Sequence, residues 1–360
     1  MIAQPSPTAR PATSSREAAL VEVADDLDAV NALYYDRHWG DGLPIIPPTE
    51  QRVNLMVAGS GRDRSEVIGI IPPGFGAATV ERIAINAVMA GCLPSYMPVL
   101  IAAVDAITTK GFNIQGIQCT TNPVAVWLIV NGPIAERIGM NGGINCLGQG
   151  NRANMTLGRA LHLVMSNVGA CYPGVMDRST QGQPGKLSFC CAENEAENPW
   201  EPLQVERGYS RETSMVTVVA ASGTHNLNTH AKDPDDLLKV VADSMAFPPS
   251  NDYWIGGFPW IVFGPEHAAI LKDGGLTKAE VKRRLWEGSK LSARRMAAKE
   301  MVRIVHTRRA RLGEITLDTM LPISHSPDNI GILVAGGAGT QSMYVQSFGD
   351  TALATREVRG

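Results

Sequence analysis

Two stretches share one plan: WLIVNGPIAERIGMNGG over residues 127–143 and WIVFGPEHAAILKDGG over residues 260–275. Each opens on Trp and a short apolar run, passes through Gly-Pro and closes on Gly-Gly. A short apolar run stopped by Gly-Pro reads as a buried strand, and Pro suits the first turn of a following helix. Gly132, Pro133, Ile138, Gly142 and Gly143 correspond to Gly264, Pro265, Ile270, Gly274 and Gly275 at a constant offset of 132, and Trp127 to Trp260 with one residue gapped. The correspondence predicts an α/β fold of two related α/β units, over 62–168 and 213–306, in a pseudo-twofold internal duplication. A polar insertion, 169–212, lies between them.

Working outward, the strand expected at 67–71, ending near Gly74, is matched with one at 216–220, ending near Gly223. Apolar spacing places helices over 79–91, 97–109, 151–168, 235–247, 266–272, 277–288 and 292–306. Residues 331–342 read as a strand running into a glycine loop. Upstream, 17–61 is a helical and proline-rich arm. Leu20, Val23, Leu27, Val30 and Leu33 mark a helix over 17–37, and Thr49 caps another over 50–58. Residues 1–16, rich in Pro, Ser, Thr and Ala, read as a disordered tail. Residues 307–360 carry the C-terminal strand and glycine loop.

Composition bounds the function. Of 360 residues, 44% are hydrophobic and 19% charged, enough for a large core and too apolar for general disorder. A formal net charge of −3 argues against a surface that coats nucleic acid. No apolar run reaches the roughly 20 residues that span a bilayer, and the start lacks the apolar stretch of a secretory signal. None of the six cysteines forms a C-x-x-C pair, so reduced thiols in the cytoplasm are expected. Residues 276–311 hold twelve Lys/Arg against three Glu. Without interleaved aromatics this reads as a solvated face or a subunit contact.

The candidate chemistry sits in loops. Cys146, near the start of the helix over 151–168, is a candidate nucleophile, because a helix N-terminus favours a thiolate. Asn151 or Asn154 is the candidate cap of that helix, and Asn151 is also a candidate substrate contact. Arg152 gains nothing from the dipole beside it and so points to an anionic ligand. With Arg178 it forms a candidate carboxylate clamp. His225, past a strand end, and Glu193, in the insertion, are candidate proton carriers. Gly336, Gly337 and Gly339 follow a strand and offer N–H groups to an anion. His225 and His230 with Glu193 or Glu195 have the donor types of a metal site, but not helical ligand spacing, so no metal is assigned. The sequence names no cofactor.

Four stretches together, DGLPIIPPT (41–49), STQGQPGKLSFCCAENEAENPWEPL (179–203), GPEHAAILKDGG (264–275) and VAGGAGTQS (334–342), resemble a little-characterised bacterial family of about this length. That family is associated with a small partner protein bearing a (seleno)cysteine-Gly-Ser-Cys motif, similar to glycine-reductase-type proteins. The resemblance covers nearly all of residues 30–355 and supplies no catalytic residues. It implies a homo- or hetero-oligomer whose reactive thiols sit on the partner, since this chain lacks Cys-Gly-Ser-Cys. The expectation is an oxidoreductase or lyase subunit acting on a small anionic or polar metabolite in a cleft between the two units. The alternative is a non-catalytic scaffold that orders a partner's active site.

Overall fold

The computed structural model describes residues 20–248, 250–349 and 351–359; the tail expected over 1–16 lies outside them. The first half contains α1 (Leu27–Asp36), α2 (Glu50–Ser60), β1 (Val67–Ile71), β2 (Gly76–Thr79), α3 (Val80–Ala90), α4 (Met97–Ile107), α5 (Ile114–Cys119), β3 (Ala125–Asn131), α6 (Pro133–Arg137) and α7 (Arg152–Val168). There follow β4 (Cys190–Ala192), α8 (Leu203–Glu206), β5 (Met215–Asn228), α9 (Pro234–Met245), α10 (Asn251–Ile255), β6 (Trp260–Phe263), α11 (Pro265–Asp273) and α12 (Lys278–Gly288). The chain ends with β7 (Leu291–Ser292), α13 (Ala298–Leu312), β8 (Met320–Leu321), β9 (Gly331–Val334), β10 (Gln341–Ser347) and β11 (Ala354–Glu357). Side chains of Thr49, Thr79, Asn151, Asp233 and Thr277 accept N–H groups at the starts of their helices. Each such cap contributes about 1 kcal/mol.

The main sheet runs β4-β3-β5-β10-β6-β9. β5 carries β3 along one edge, and β10 followed by β11 along the other. The outer pairs β3–β4 and β6–β9 are parallel, and the three pairings between them are antiparallel. The order therefore reads the same from either edge, with both echoed Trp strands second from an edge. The sheet is curled, and alternation along its strands divides the side chains among three cores. Trp127, Ile129, Cys191, Val219, Trp260, Val262, Leu333 and Val345 fill the inner core. Val126, Leu128, Val130, Val216 and Val218 pack outward under α3, α4 and α7. Ile261, Phe263, Ile332, Val334 and Tyr344 pack outward with α9, α11 and α12. All seven β3 residues are buried, because both of its faces are covered. Each fully buried aliphatic side chain contributes about 1.5–3 kcal/mol.

The edge strands touch at their C-terminal ends, where the Asn194 N–H donates to Val334 O at 2.8 Å. The loop after α6 threads this junction: Asn141 O accepts from the Ala192 N–H at 3.2 Å, and Gly142 O from the Gly336 N–H at 2.8 Å.

Several expectations change. The strand at 67–71 forms, but it pairs only with β2 in a separate hairpin, so it is not the counterpart of the central β5. The segment expected as a polar insertion supplies edge strand β4, and the C-terminal segment supplies β10, inside the sheet. The first helix begins only at Leu27, where Asp26 accepts the Ala29 N–H at 2.8 Å. The helix expected at 292–306 runs from 298 to 312, because Leu291 and Ser292 pair with β8. Among the described residues no helix is long and apolar enough to cross a membrane.

Candidate active site

The loop from Gly139 to Gly150 joins α6 to α7. Its chain turns through positive φ at Gly139 (68°), Asn145 (58°) and Gly150 (114°), conformations that favour Gly and Asn. Asn154, in the first turn of α7, straps it down. Its Nδ2 donates to Asn141 O and Cys146 O, both at 2.8 Å, and its Oδ1 accepts the Asn141 N–H at 3.0 Å. Asn151 acts as the expected cap, accepting the Asn154 N–H at 3.0 Å, while its Nδ2 donates to Gly139 O at 2.9 Å.

This strapping turns Cys146 into the inner core beside Cys191. A hydrogen bond from the Cys191 thiol outweighs burial and, with the N–H groups of Cys146, Leu147 and Gly336, holds the Cys146 thiol below its usual value. Every other cysteine is shifted the opposite way. Burial pushes Cys92 and Cys171 up to about 12 and raises Cys119 and Cys190. Cys191 rises chiefly because its proton is shared with Cys146. Trp127 packs edge-on against Trp260 at 5.7 Å and stacks on Phe189 at 5.2 Å in the same core.

Three loops therefore meet at Cys146: 139–150, the exit from β4 at 193–198, and the glycine loop after β9. Gly142 packs on the Glu193 backbone with no room for a side chain, and Gly337 packs on Ile144 in the same way. Asn194 Nδ2 donates to Gly336 O at 3.2 Å. Cys146, Gly336, Gly337 and the Glu193 backbone are thus brought together. The Glu193 side chain turns elsewhere. It accepts from Asn131 Nδ2 at 2.5 Å, Asn198 Nδ2 at 2.6 Å and the Leu203 N–H at 2.8 Å.

Burial pushes the Glu193 carboxyl up to about 7, against the Lys278 charge and these donors. Between its ordinary value of 4.5 and about 7, the folded chain holds a proton that the unfolded chain has released. The Glu193 contribution to stability is therefore fullest below pH 4.5 and falls by about 3 kcal/mol as pH rises to about 7. Asp252, buried beside Tyr344 and Ser347 and pushed up to about 6, adds a loss of the same sign between 3.8 and 6. Glu193→Gln is expected to remove most of the Glu193 part of this slope. Urea midpoints measured across that range check it, and an unchanged slope would place the titration elsewhere.

The other candidates lie apart. The Arg152 guanidinium donates twice to Gly91 O, at 3.1 and 2.9 Å. Arg178 is exposed and donates to Gly174 O at 3.0 Å. Beside it, Asp177, Ser179, Gln181, Gln183 and Lys186 line a polar hollow of about 480 Å³, in which Lys186 Nζ bridges Asp177 and Ser179 at 2.6 Å each. His225 pairs in register with Tyr344, whose side chain packs in the helix-side core, so His225 stands on the face opposite Cys191. The Gly339 N–H already holds a carboxylate, Glu266 Oε1 at 2.9 Å. Among the described residues, no three His, Cys, Asp or Glu side chains are grouped to hold a metal. Sequence reasoning weighed Asn154 only as an alternative cap to Asn151, and it left open which of Cys190 and Cys191 faces the core. The Asn at the third helical position of α7 and the strand period through Cys191 were the available signals.

No protein-family model matches the chain, and no curated protein matches it.

Proposed function

We propose that the chain is an enzyme subunit that uses the Cys146 thiolate on a small polar or anionic metabolite, in redox or C–heteroatom bond-cleaving chemistry. One observation carries this reading: the loops at 139–150, 193–198 and 336–339 close around Cys146 in the inner core, and there its thiol, alone among the six, is held below its usual value. A thiolate is the nucleophilic form of cysteine. The backbone N–H groups of Cys146, Leu147 and Gly336 add to this lowering, as dipoles aimed at a developing negative charge do. In such a step the thiolate attacks an electrophilic carbon or sulfur, and the bonding pair leaves with the heteroatom. The palindromic strand order and the paired Trp-to-Gly-Gly segments support a scaffold of two related halves, with Cys146 where their edge strands meet.

A second reading, a binding subunit that orders a partner's active site, draws on Cys146 being only 7% exposed. The resemblance to a family with a (seleno)cysteine partner points the same way. Alkylation with iodoacetamide, mapped by mass spectrometry, tests the thiolate. Cys146 is expected to react at least about tenfold faster near pH 7 than any other cysteine of the native chain. Labelling led by the more exposed Cys119, or equally slow at all six, would remove the proposal. Turnover of pooled metabolites by the purified chain alone, lost in Cys146→Ser, would remove the scaffold reading.

A further inference from the structure

The inner core holds a second sulfur that the proposed step leaves without a part. Cys191 lies on β4, paired in register with Ile129, and its side chain shares the inner core with that of Cys146. Cys190, its neighbour, faces the other way and packs with Cys92 and Leu157 in the outer core. Strand alternation thus sets the neighbours back to back and leaves Cys191 facing the loop cysteine. Cys146 keeps 7% of its surface exposed and Cys191 none. An incoming molecule therefore meets Cys146 first, and Cys191 can act only from within.

Resting on the thiolate reading, we infer that Cys191 is the resolving thiol of Cys146, and that the pair forms a reversible disulfide by exchange with a low-molecular-weight disulfide. With only 7% of Cys146 exposed, a small reactant is favoured over a folded protein. The Cys146 thiolate attacks one sulfur of the small disulfide RSSR, forming Cys146–S–S–R and releasing RS⁻. Cys191 then gives up its proton, attacks the Cys146 sulfur and expels the second R sulfur. In total, RSSR, one thiolate and one thiol become the Cys146–Cys191 disulfide, RS⁻ and RSH. The small disulfide is reduced by two electrons and the protein pair is oxidised by two. The bond ties the loop 139–150 to the sheet edge at the place where β4 and β9 touch.

Glutathione disulfide is the probe. The native chain is incubated with it, quenched by alkylation under denaturing conditions and mapped by peptide mass spectrometry. The wild type is expected to lose two hydrogens, with the peptides holding Cys146 and Cys191 joined and no other pair formed. Cys191→Ser is expected to trap a glutathione adduct on Cys146, and Cys146→Ser to give neither product. A lasting adduct on wild-type Cys146 without the link overturns the role of Cys191 and leaves the thiolate reading standing. Oxidation confined to Cys119 or Cys171, with Cys146 inert to iodoacetamide as well, overturns both. No oxidation at all, while iodoacetamide still labels Cys146, overturns this inference alone. Should the serine variant of Cys191 fail to fold, the wild-type map and Cys191→Ala decide.

Discussion

Glu206→Gln is expected to destabilise the fold by about 3–5 kcal/mol, the cost of breaking a buried ion pair from one side. Glu206 ends α8 and serves two ammonium groups of α12. Lys278 Nζ lies 3.0 Å from one carboxylate oxygen, and Lys282 Nζ binds the other. The Lys278 and Lys282 side chains are 3% and 8% exposed, so water cannot replace the lost acceptor. The two lysine charges hold the Glu206 carboxyl below its usual value despite burial. In the variant two cations face each other out of water. Denaturant unfolding near pH 7 measures the loss. Adding Lys278→Met and Lys282→Met to the variant is expected to restore most of the stability. A loss below about 1 kcal/mol would show that the three groups are solvated and act as an ordinary surface cluster.

Trp260→Ala is expected to cost about 3–5 kcal/mol, in the range of a large buried aromatic cut to alanine. The Trp260 ring is fully buried and stands edge-on to Trp127. It also lies flat over Gly331 on the neighbouring strand, where any side chain would collide with the ring. The space it leaves is closed in by β3, β6 and β9, strands that cannot approach one another without losing their ladders. The midpoint of urea unfolding should fall with little change in slope. Cys191, in the same core, should become open to alkylation. A small loss with Cys191 still protected would mean that Trp127 and Phe189 close the gap.

The sequence made the scaffold legible where its local signals were undiluted. Strand β3 opens with six apolar residues in a row because helices cover one face and the inner core the other. Helix α7 announced itself through Leu157, Leu161, Val164, Met165 and Val168, all buried on one face. Strand β10 was invisible, because Gln341, Ser342, Gln346 and Ser347 dilute its apolar residues. Its place comes from pairing with β5 and β6 on either side. Strand β4 is three residues long, below what periodicity can resolve. In the site, Cys146, Gly336 and Gly337 were named from local chemistry, and the fold brings them together. Arg152 and His225 were named by the same logic, but their surroundings were set by distant residues: the end of α3 for one, the outer helix-side face for the other. Cys191 needed the curl of the sheet, which no window of sequence contains.

The meeting of β4 with β9 has a consequence for how the molecule behaves in a crowded solution. A long, straight, unpaired strand at a sheet boundary is a template on which other chains can stack, growing into fibres. Here both boundary strands are short, three and four residues, and their far ends are spent on each other and on the 139–150 loop. Little backbone is left to recruit a neighbour's strand, so self-association of the native chain falls to its helical surfaces and fibre growth requires prior opening of that junction.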